Sequence, residues 1–189
     1  MRIVGGRLRG LGLAPVGKGD AERHLRPTAD RVRESLFNLL AHGNSGDPVR
    51  GAQVLDLFAG TGALGLEALS RGASFVTFID NGRVARKLIA ANILRAKAEA
   101  ETRVLHRDAT RPGPADSPPA TLVFLDPPYG RNLGEKALSA ALSGGWIAPA
   151  ALVVWEERGE QPAPEGFRLR DARRYGETCL TFLQPLSPR

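Results

Sequence analysis

Apolar residues fall along this chain in short blocks of two periods. Gln53–Phe58, Phe75–Ile79, Arg103–His106, Thr121–Leu125 and Ala151–Trp155 are compact runs bounded by glycine, proline or polar residues, and they predict strands. Between them, Ala63–Ser70, Val84–Lys97 and Leu133–Leu142 carry the three-and-four spacing of helices; Val84, Leu88, Ala91 and Leu94 mark the turns of the second. Upstream, Ala29, Val32, Leu36 and Leu39 predict a helix opened by Pro27-Thr28, with Thr28 as its cap. Thr121–Leu125 is almost wholly apolar, which predicts a central strand buried on both faces. Arg168–Arg174 and Glu177–Phe182 flank Tyr175-Gly176 and predict an antiparallel pair joined by a tight turn. Gly43–Gly51 and Pro112–Pro119 are loops, and no internal repeat appears. The expected fold is α/β: a doubly wound, mostly parallel seven-stranded sheet of Rossmann-like type with an antiparallel C-terminal hairpin. Ligands in such sheets sit at the carboxyl ends of the strands, so the residues just beyond each strand are those to interrogate.

The first 25 residues break this pattern. They are rich in Gly and Arg, with Arg2-Ile3-Val4 and Leu11-Gly12-Leu13 as short strands around a Gly-rich turn. They read as a basic hairpin or a loose arm, residues 1–25, ahead of a domain over 26–189. Charge supports the division. The net is +6, of which residues 1–33 carry +5, residues 34–157 carry −1 and the last 32 carry +2. A near-neutral body with a basic head fits a polyanion such as nucleic acid, with a solubilising arm as the plainer reading.

Composition narrows the class. With 42% hydrophobic and 24% charged residues in 189, the chain is long enough for a real core. No uncharged apolar run approaches the roughly 18 residues of a membrane span, and the N-terminus has no signal-peptide core. One cysteine, Cys179, and three scattered histidines build neither a disulfide nor a zinc site. The expectation is a reducing, cytoplasmic, metal-free soluble protein, free of membrane and monomeric.

The first predicted strand runs into Asp56-Leu57-Phe58-Ala59-Gly60-Thr61-Gly62-Ala63-Leu64-Gly65, where Gly60, Gly62 and Gly65 fit GxGxxG between strand and helix. Glycines there let the backbone turn sharply and approach a ligand near a helix N-terminus. Asp80 lies 20 residues beyond Gly60, at the end of the second strand, where a carboxylate can accept both hydroxyls of a ribose. The pair points to a nucleoside cofactor without choosing between NAD and S-adenosylmethionine. Asp56 favours the second: it is poorly placed beside a pyrophosphate and well placed to meet, directly or through water, the ammonium of a methionine tail. Asp108, just past the third strand, is positioned to accept from an adenine amino group.

Asp126-Pro127-Pro128-Tyr129 follows the apolar fourth strand at once. Two prolines remove two backbone donors and stiffen the chain. The Asp126 carboxylate and the Pro127 carbonyl can then both accept from one exocyclic NH2 of a base. Holding both N–H bonds frees the nitrogen lone pair to attack a methyl sulfonium, and Tyr129 can stack on the base. Trp155-Glu156-Glu157, Cys179 and the histidines His24, His42 and His106 read as packing or surface residues.

These motifs resemble a known family. Val123-Phe124-Leu125-Asp126-Pro127-Pro128-Tyr129 resembles the signature of amino-group methyltransferases acting on adenine N6 or guanine N2. With Arg26-Pro27-Thr28-Ala29-Asp30-Arg31-Val32-Arg33-Glu34-Ser35-Leu36-Phe37-Asn38 and the stretch Asp56–Ala68, the chain resembles the RsmD-type bacterial methyltransferases along essentially its whole length. The resemblance implies S-adenosylmethionine as cofactor, demethylated in turnover to S-adenosylhomocysteine. It also implies methylation of guanine N2 in 16S ribosomal RNA of the small subunit or an assembly intermediate. Cofactor contacts are implied at Asp56, Gly60, Gly62, Asp80 and Asp108, with Phe58, Asn81 and Ala109 beside them and Thr28 near the methionine end. Arg2, Arg7, Arg9 and Arg26 are the expected RNA contacts. Thr61 stands where many relatives carry Ser, which keeps a small hydroxyl, and family detail does not carry across the Pro-rich residues 111–119. Three rivals stay open: an adenine-N6 methyltransferase on DNA or RNA, a catalytically silent RNA-binding assembly factor, and an NAD enzyme. Against them stand, in turn, the lack of room for a large target-recognition region, the intact Asp126–Tyr129 motif, and Asp56 together with the lack of a hydride-transfer residue.

Overall fold

The computed structural model describes residues 1–15, 30–42 and 46–186 of the chain. The apolar blocks become strands β1 (Gln53–Leu57), β2 (Phe75–Ile79), β3 (Thr102–Leu105), β4 (Ala120–Leu125) and β5 (Ile147–Glu157), followed by β6 (Phe167–Tyr175) and β7 (Thr178–Pro185). They form one sheet of order β3-β2-β1-β4-β5-β7-β6. β1 to β5 run parallel, while β7 is antiparallel to both β5 and β6. β4 lies between β1 and β5, the central place its apolar sequence predicts.

Two cores cover the two faces. On one, α1 (Asp30–Ala41), α2 (Ala63–Ser70) and α3 (Arg83–Ala96) bring Leu36, Phe37, Leu66 and Ile89 against Val54, Phe124 and Val154. The Phe37 and Phe124 rings pack with centroids 5.6 Å apart. On the other, α4 (Leu133–Ser143) lays Ala137, Leu138 and Ala141 on Leu125, Val153 and Trp155. Each large side chain fully buried here contributes roughly 1.5–3 kcal/mol.

Three details differ from the sequence reading. In α3 the buried stripe is Ala85, Ile89, Asn92, Ile93 and Ala96, whereas Leu94 is 67% exposed. The stripe was hidden because a polar residue sits on it: Asn92 is buried to donate to the Thr61 carbonyl (2.8 Å) and accept from the Ala14 N–H (2.7 Å). β5 begins four residues earlier than predicted, at Ile147, across a register shift between Ala120 and Leu122. The last hairpin turns on Gly176-Glu177 rather than Tyr175-Gly176, since Tyr175 pairs with Thr178.

Residues 1–15 fold back as a small hairpin around a 3₁₀ turn at Gly6–Leu8, with Arg2 bridged to Gly12. It is fastened to the body. Ile3 is wholly buried in the core, and the Glu67 carboxylate accepts from the Val4 and Gly5 N–H groups at 2.8 Å each. Ser70 Oγ accepts from the Leu8 N–H (2.8 Å) and donates to the Gly5 carbonyl (2.6 Å). Gly6 is required here: its φ is +73°, and an added Cβ would lie 1.9 Å from the Ser70 carbonyl oxygen.

Candidate active site

Beyond β1 the backbone turns through Phe58 (φ +57°), Gly60 (φ +57°) and Gly62 (φ +77°) before entering α2. A left-handed phenylalanine costs on the order of 1–3 kcal/mol and persists only where its surroundings over-determine it. They do so here: the Ala59 N–H donates to the Ile79 carbonyl (3.3 Å), and the Gly60 N–H to Asp80 Oδ2 (2.9 Å). The other oxygen of Asp80 accepts from the Gly82 N–H at 2.7 Å. Asp80 thereby ties the glycine loop to the loop after β2, and each of its oxygens keeps a second lone pair for a ligand. Gly65 lets α2 approach β2, since a Cβ there would lie 2.4 Å from the Phe78 ring.

Asp56 lies beneath this loop, 1% exposed, and accepts from the Gly65 N–H in the first turn of α2 at 3.0 Å. Burial pushes its carboxyl up to about 8; the charge of Asp80 pushes the same way and the Gly65 hydrogen bond opposes it.

At the end of β4, Asp126 donates its N–H to the Leu57 carbonyl (3.4 Å), holding the Asp-Pro-Pro-Tyr segment beside the β1 loop. Asp126 keeps part of its surface open, yet burial of its carboxyl raises it well above the usual carboxylate range, followed by the charges of Glu156, Asp56 and Glu157. Tyr129 donates its hydroxyl to Glu156 Oε1 at 3.1 Å, and the Arg158 guanidinium carbon lies 6.0 Å from the centre of its ring. Burial raises the Tyr129 hydroxyl as well, with the charges of Glu156 and Asp126 adding to it.

These ends meet in a cleft of about 200 Å³ whose lining includes Phe58, Gly60, Asp80, Asn81, Asp126 and Pro128. Residues assigned separately to cofactor and to amine thus share one wall. Others lie elsewhere. Gly62 caps α2, with its α-carbon facing Phe78 and Ile89. Asp108 is exposed and gives Oδ1 to the Thr110 N–H (2.9 Å) and hydroxyl (2.8 Å), while Ala109 is buried in the core on the α4 face. Neither lines the cleft. Thr28 and Arg26 lie outside the described residues. Arg2 faces Asp30 at 4.0 Å, and Arg7 pairs with Glu101. Glu101 immediately precedes β3, so Arg7 stands at the amino edge of the sheet, opposite the cleft. Arg9 is exposed in the same hairpin.

Sequence reasoning missed Glu156. The signal was present: Leu125 registers with Trp155, so the next residues, Asp126 and Glu156, emerge side by side from adjacent parallel strands.

Among the described residues that line it, the cleft sets Asp80 and Asp126 against one arginine, Arg83. That balance suits a hydroxyl-bearing nucleoside with a positive group and disfavours a pyrophosphate. Sheet order and edge site together define a Rossmann-like methyltransferase fold. The family described as "Conserved hypothetical protein 95" matches residues 1–184, and the chain belongs to that family. The chain is 41% identical over 187 residues to Ribosomal RNA small subunit methyltransferase D of Escherichia coli K12, covering 97% of this chain and 89% of that protein. It is 35% identical over 189 residues to the protein of the same name from Haemophilus influenzae, covering 97% and 93%. Among solved structures, Escherichia coli yhhF superposes with a TM-score of 0.78 at 35% identity, covering 100% of this chain and 99% of that one.

Proposed function

We propose that this protein transfers a methyl group from S-adenosylmethionine to the exocyclic N2 amine of a guanine in 16S ribosomal RNA. The observation that carries this reading is one cleft shared by the ribose-type acceptor Asp80 and the amine-type acceptor Asp126. Relatives named as small-subunit ribosomal RNA methyltransferases, matched along nearly their whole length, support it. When bound, S-adenosylmethionine supplies a methyl group already activated on a positively charged sulfur.

The chain's own residues do the rest. Asp80 accepts from ribose hydroxyls with its remaining lone pairs, and the Gly60 backbone allows close approach. Asp56 lies below the loop, out of solvent and held protonated by burial; the ammonium of a methionine tail above it would favour its charged form. The Asp126 carboxylate and Pro127 carbonyl hold the two N–H bonds of the amine and turn its lone pair toward the methyl carbon. No strong base is needed, since the amine proton leaves after transfer. Tyr129, held through its hydroxyl by Glu156, offers its ring to the base. The reading places the enzyme in the cytoplasm, with its ribosomal RNA substrate, as a monomer. Among the described residues no helix is long and apolar enough to cross a membrane.

The test is transfer of a labelled methyl group to ribosomal RNA from cells lacking the protein, followed by digestion to nucleosides. The expected product is N2-methylguanosine. Asp126→Ala should lower kcat by about 10²–10³-fold, the size seen on removing one preorganised polar group, with cofactor affinity nearly intact. Label in N6-methyladenosine, no label at all, or near-normal turnover in Asp126→Ala would overturn the reading.

A further inference from the structure

Among the described residues, the densest group of exposed arginines lies away from the basic head of the sequence. In the N-terminal hairpin, Arg2 and Arg7 face the carboxylates Asp30 and Glu101, and Arg7 stands at the amino edge of the sheet. At the far side of the molecule, β6 is an edge strand with Arg168, Arg170, Arg173 and Arg174 in seven residues, against one acid, Asp171. All four arginines are exposed.

Their partners differ in kind from those of the hairpin. Arg168 and Arg170 both donate to the side-chain oxygen of Gln184, at 2.7 Å each. Arg174 donates to the Arg158 carbonyl at 3.2 Å, and only Arg173 pairs with a carboxylate, Asp171 at 2.8 Å. Neutral oxygens aim a guanidinium without neutralising it. A register shift between Leu169 and Asp171 puts Arg170 at a bulge, the device that re-aims a side chain on an edge strand.

The row also leads to the site. Arg174 registers with Cys179, and Cys179 with Glu157 at the carboxyl end of β5; Arg168, at the other end of the row, registers with Gln184. Arg158, whose carbonyl holds Arg174, carries its own guanidinium toward the Tyr129 ring. By this register Arg168, beside Gln184, and Arg174, beside Cys179, lie on opposite faces of the sheet, so a phosphate backbone that reaches Tyr129 runs along the outer edge of β6 between them.

We infer that the β6 edge, continued by Arg158, is the track that holds the RNA backbone flanking the target base. This rests on the RNA-methylating function proposed above. It assigns the grip to the C-terminal hairpin and leaves to the N-terminal hairpin at most contacts remote from the base. The plainer role of an arginine-rich edge is to repel a second sheet edge, and the test separates the two.

The experiment measures binding to deproteinised small-subunit ribosomal RNA at several salt concentrations, with KM and kcat for methyl transfer. The log–log salt slope falls by about 0.7–0.9 for each phosphate that is no longer neutralised. Arg168→Gln, Arg170→Gln and Arg174→Gln together should flatten the slope by about two units, raise KM for RNA and leave kcat and S-adenosylmethionine affinity unchanged. The corresponding triple Lys variant should keep most of the slope. Arg174→Gln alone, which leaves Gln184 with its partners, should flatten it by just under one unit. Arg7→Gln with Arg9→Gln should leave KM where it is. An unchanged slope in the β6 variants, with methyl transfer by the intact protein normal, would overturn this inference and leave the proposed function standing. An intact protein that neither binds nor methylates the RNA would overturn both.

Discussion

Two regions of this molecule bury carboxylates, and they treat them in opposite ways. Glu67, with no exposed surface, accepts from the N–H groups of Val4 and Gly5, from Arg33 Nε (3.4 Å) and from Arg71 Nε (2.8 Å). Asp56, almost as deep, receives the Gly65 N–H and has Asp80 for a charged neighbour, and Asp126 feels Glu156, Asp56 and Glu157. The first acid is surrounded by donors and fastens the N-terminal hairpin to α2. The others have acids rather than cations for charged neighbours, and they lie around the cleft proposed to take a cationic methyl donor. Burial alone does not mark a functional acid; the unmet demand around it does.

The largest effect is expected for Glu67→Ala. This change takes one partner from the buried Arg33 and leaves the Val4 and Gly5 amide donors without their acceptor, so urea unfolding should show a loss of about 3–5 kcal/mol. If Asp126→Ala proved equally destabilising, the contrast between the two regions would fail. Next comes pH. The ordinary value for Asp56 is 3.8 and its folded value about 8, so the protonated form is the one the fold favours. Its contribution is complete below the ordinary value and is lost as pH rises through the folded one. Melting temperatures of the ligand-free protein and of Asp56→Asn should therefore diverge between about pH 4 and pH 8, with the variant gaining on the parent as pH rises. Parallel curves would show that Asp56 ionises in the fold at no cost. The smallest effect is expected for Tyr129→Phe, which keeps the ring and removes only the bond to Glu156. KM for RNA should rise several-fold, matching about 1 kcal/mol for one hydrogen bond, where Tyr129→Ala should forfeit base stacking of roughly 1–3 kcal/mol.

Local pattern carried most of the architecture. The predicted bounds of α2 and β2 are those observed, because each is a dense apolar block with polar or glycine ends. The strand-end acids of the cleft were legible for the same reason: once strands are placed, the fold dictates which ends converge. What escaped depends on partners far away in sequence. Ile3 sits in a two-residue apolar run among glycines and arginines, and Glu67, Ser70 and Asn92, more than 60 residues on, hold the backbone that buries it. Nothing local marks Asn92 for burial, because its hydrogen bonds are to Thr61 and Ala14. Asp108 followed the rule for strand ends and still lies outside the cleft lining, its carboxylate turned back on Thr110.

The docking of residues 1–15 also sets an order of events. The described side chains that hold them, from Arg33 through Glu67, Ser70 and Asn92 to Glu101, are synthesised later. During translation this segment must wait, with Ile3 uncovered, until α3 and the turn before β3 have emerged from the ribosome. Contacts of such long sequence separation are slow to close. A glycine- and arginine-rich stretch, soluble and poor in aggregation-prone runs, is well suited to that delay.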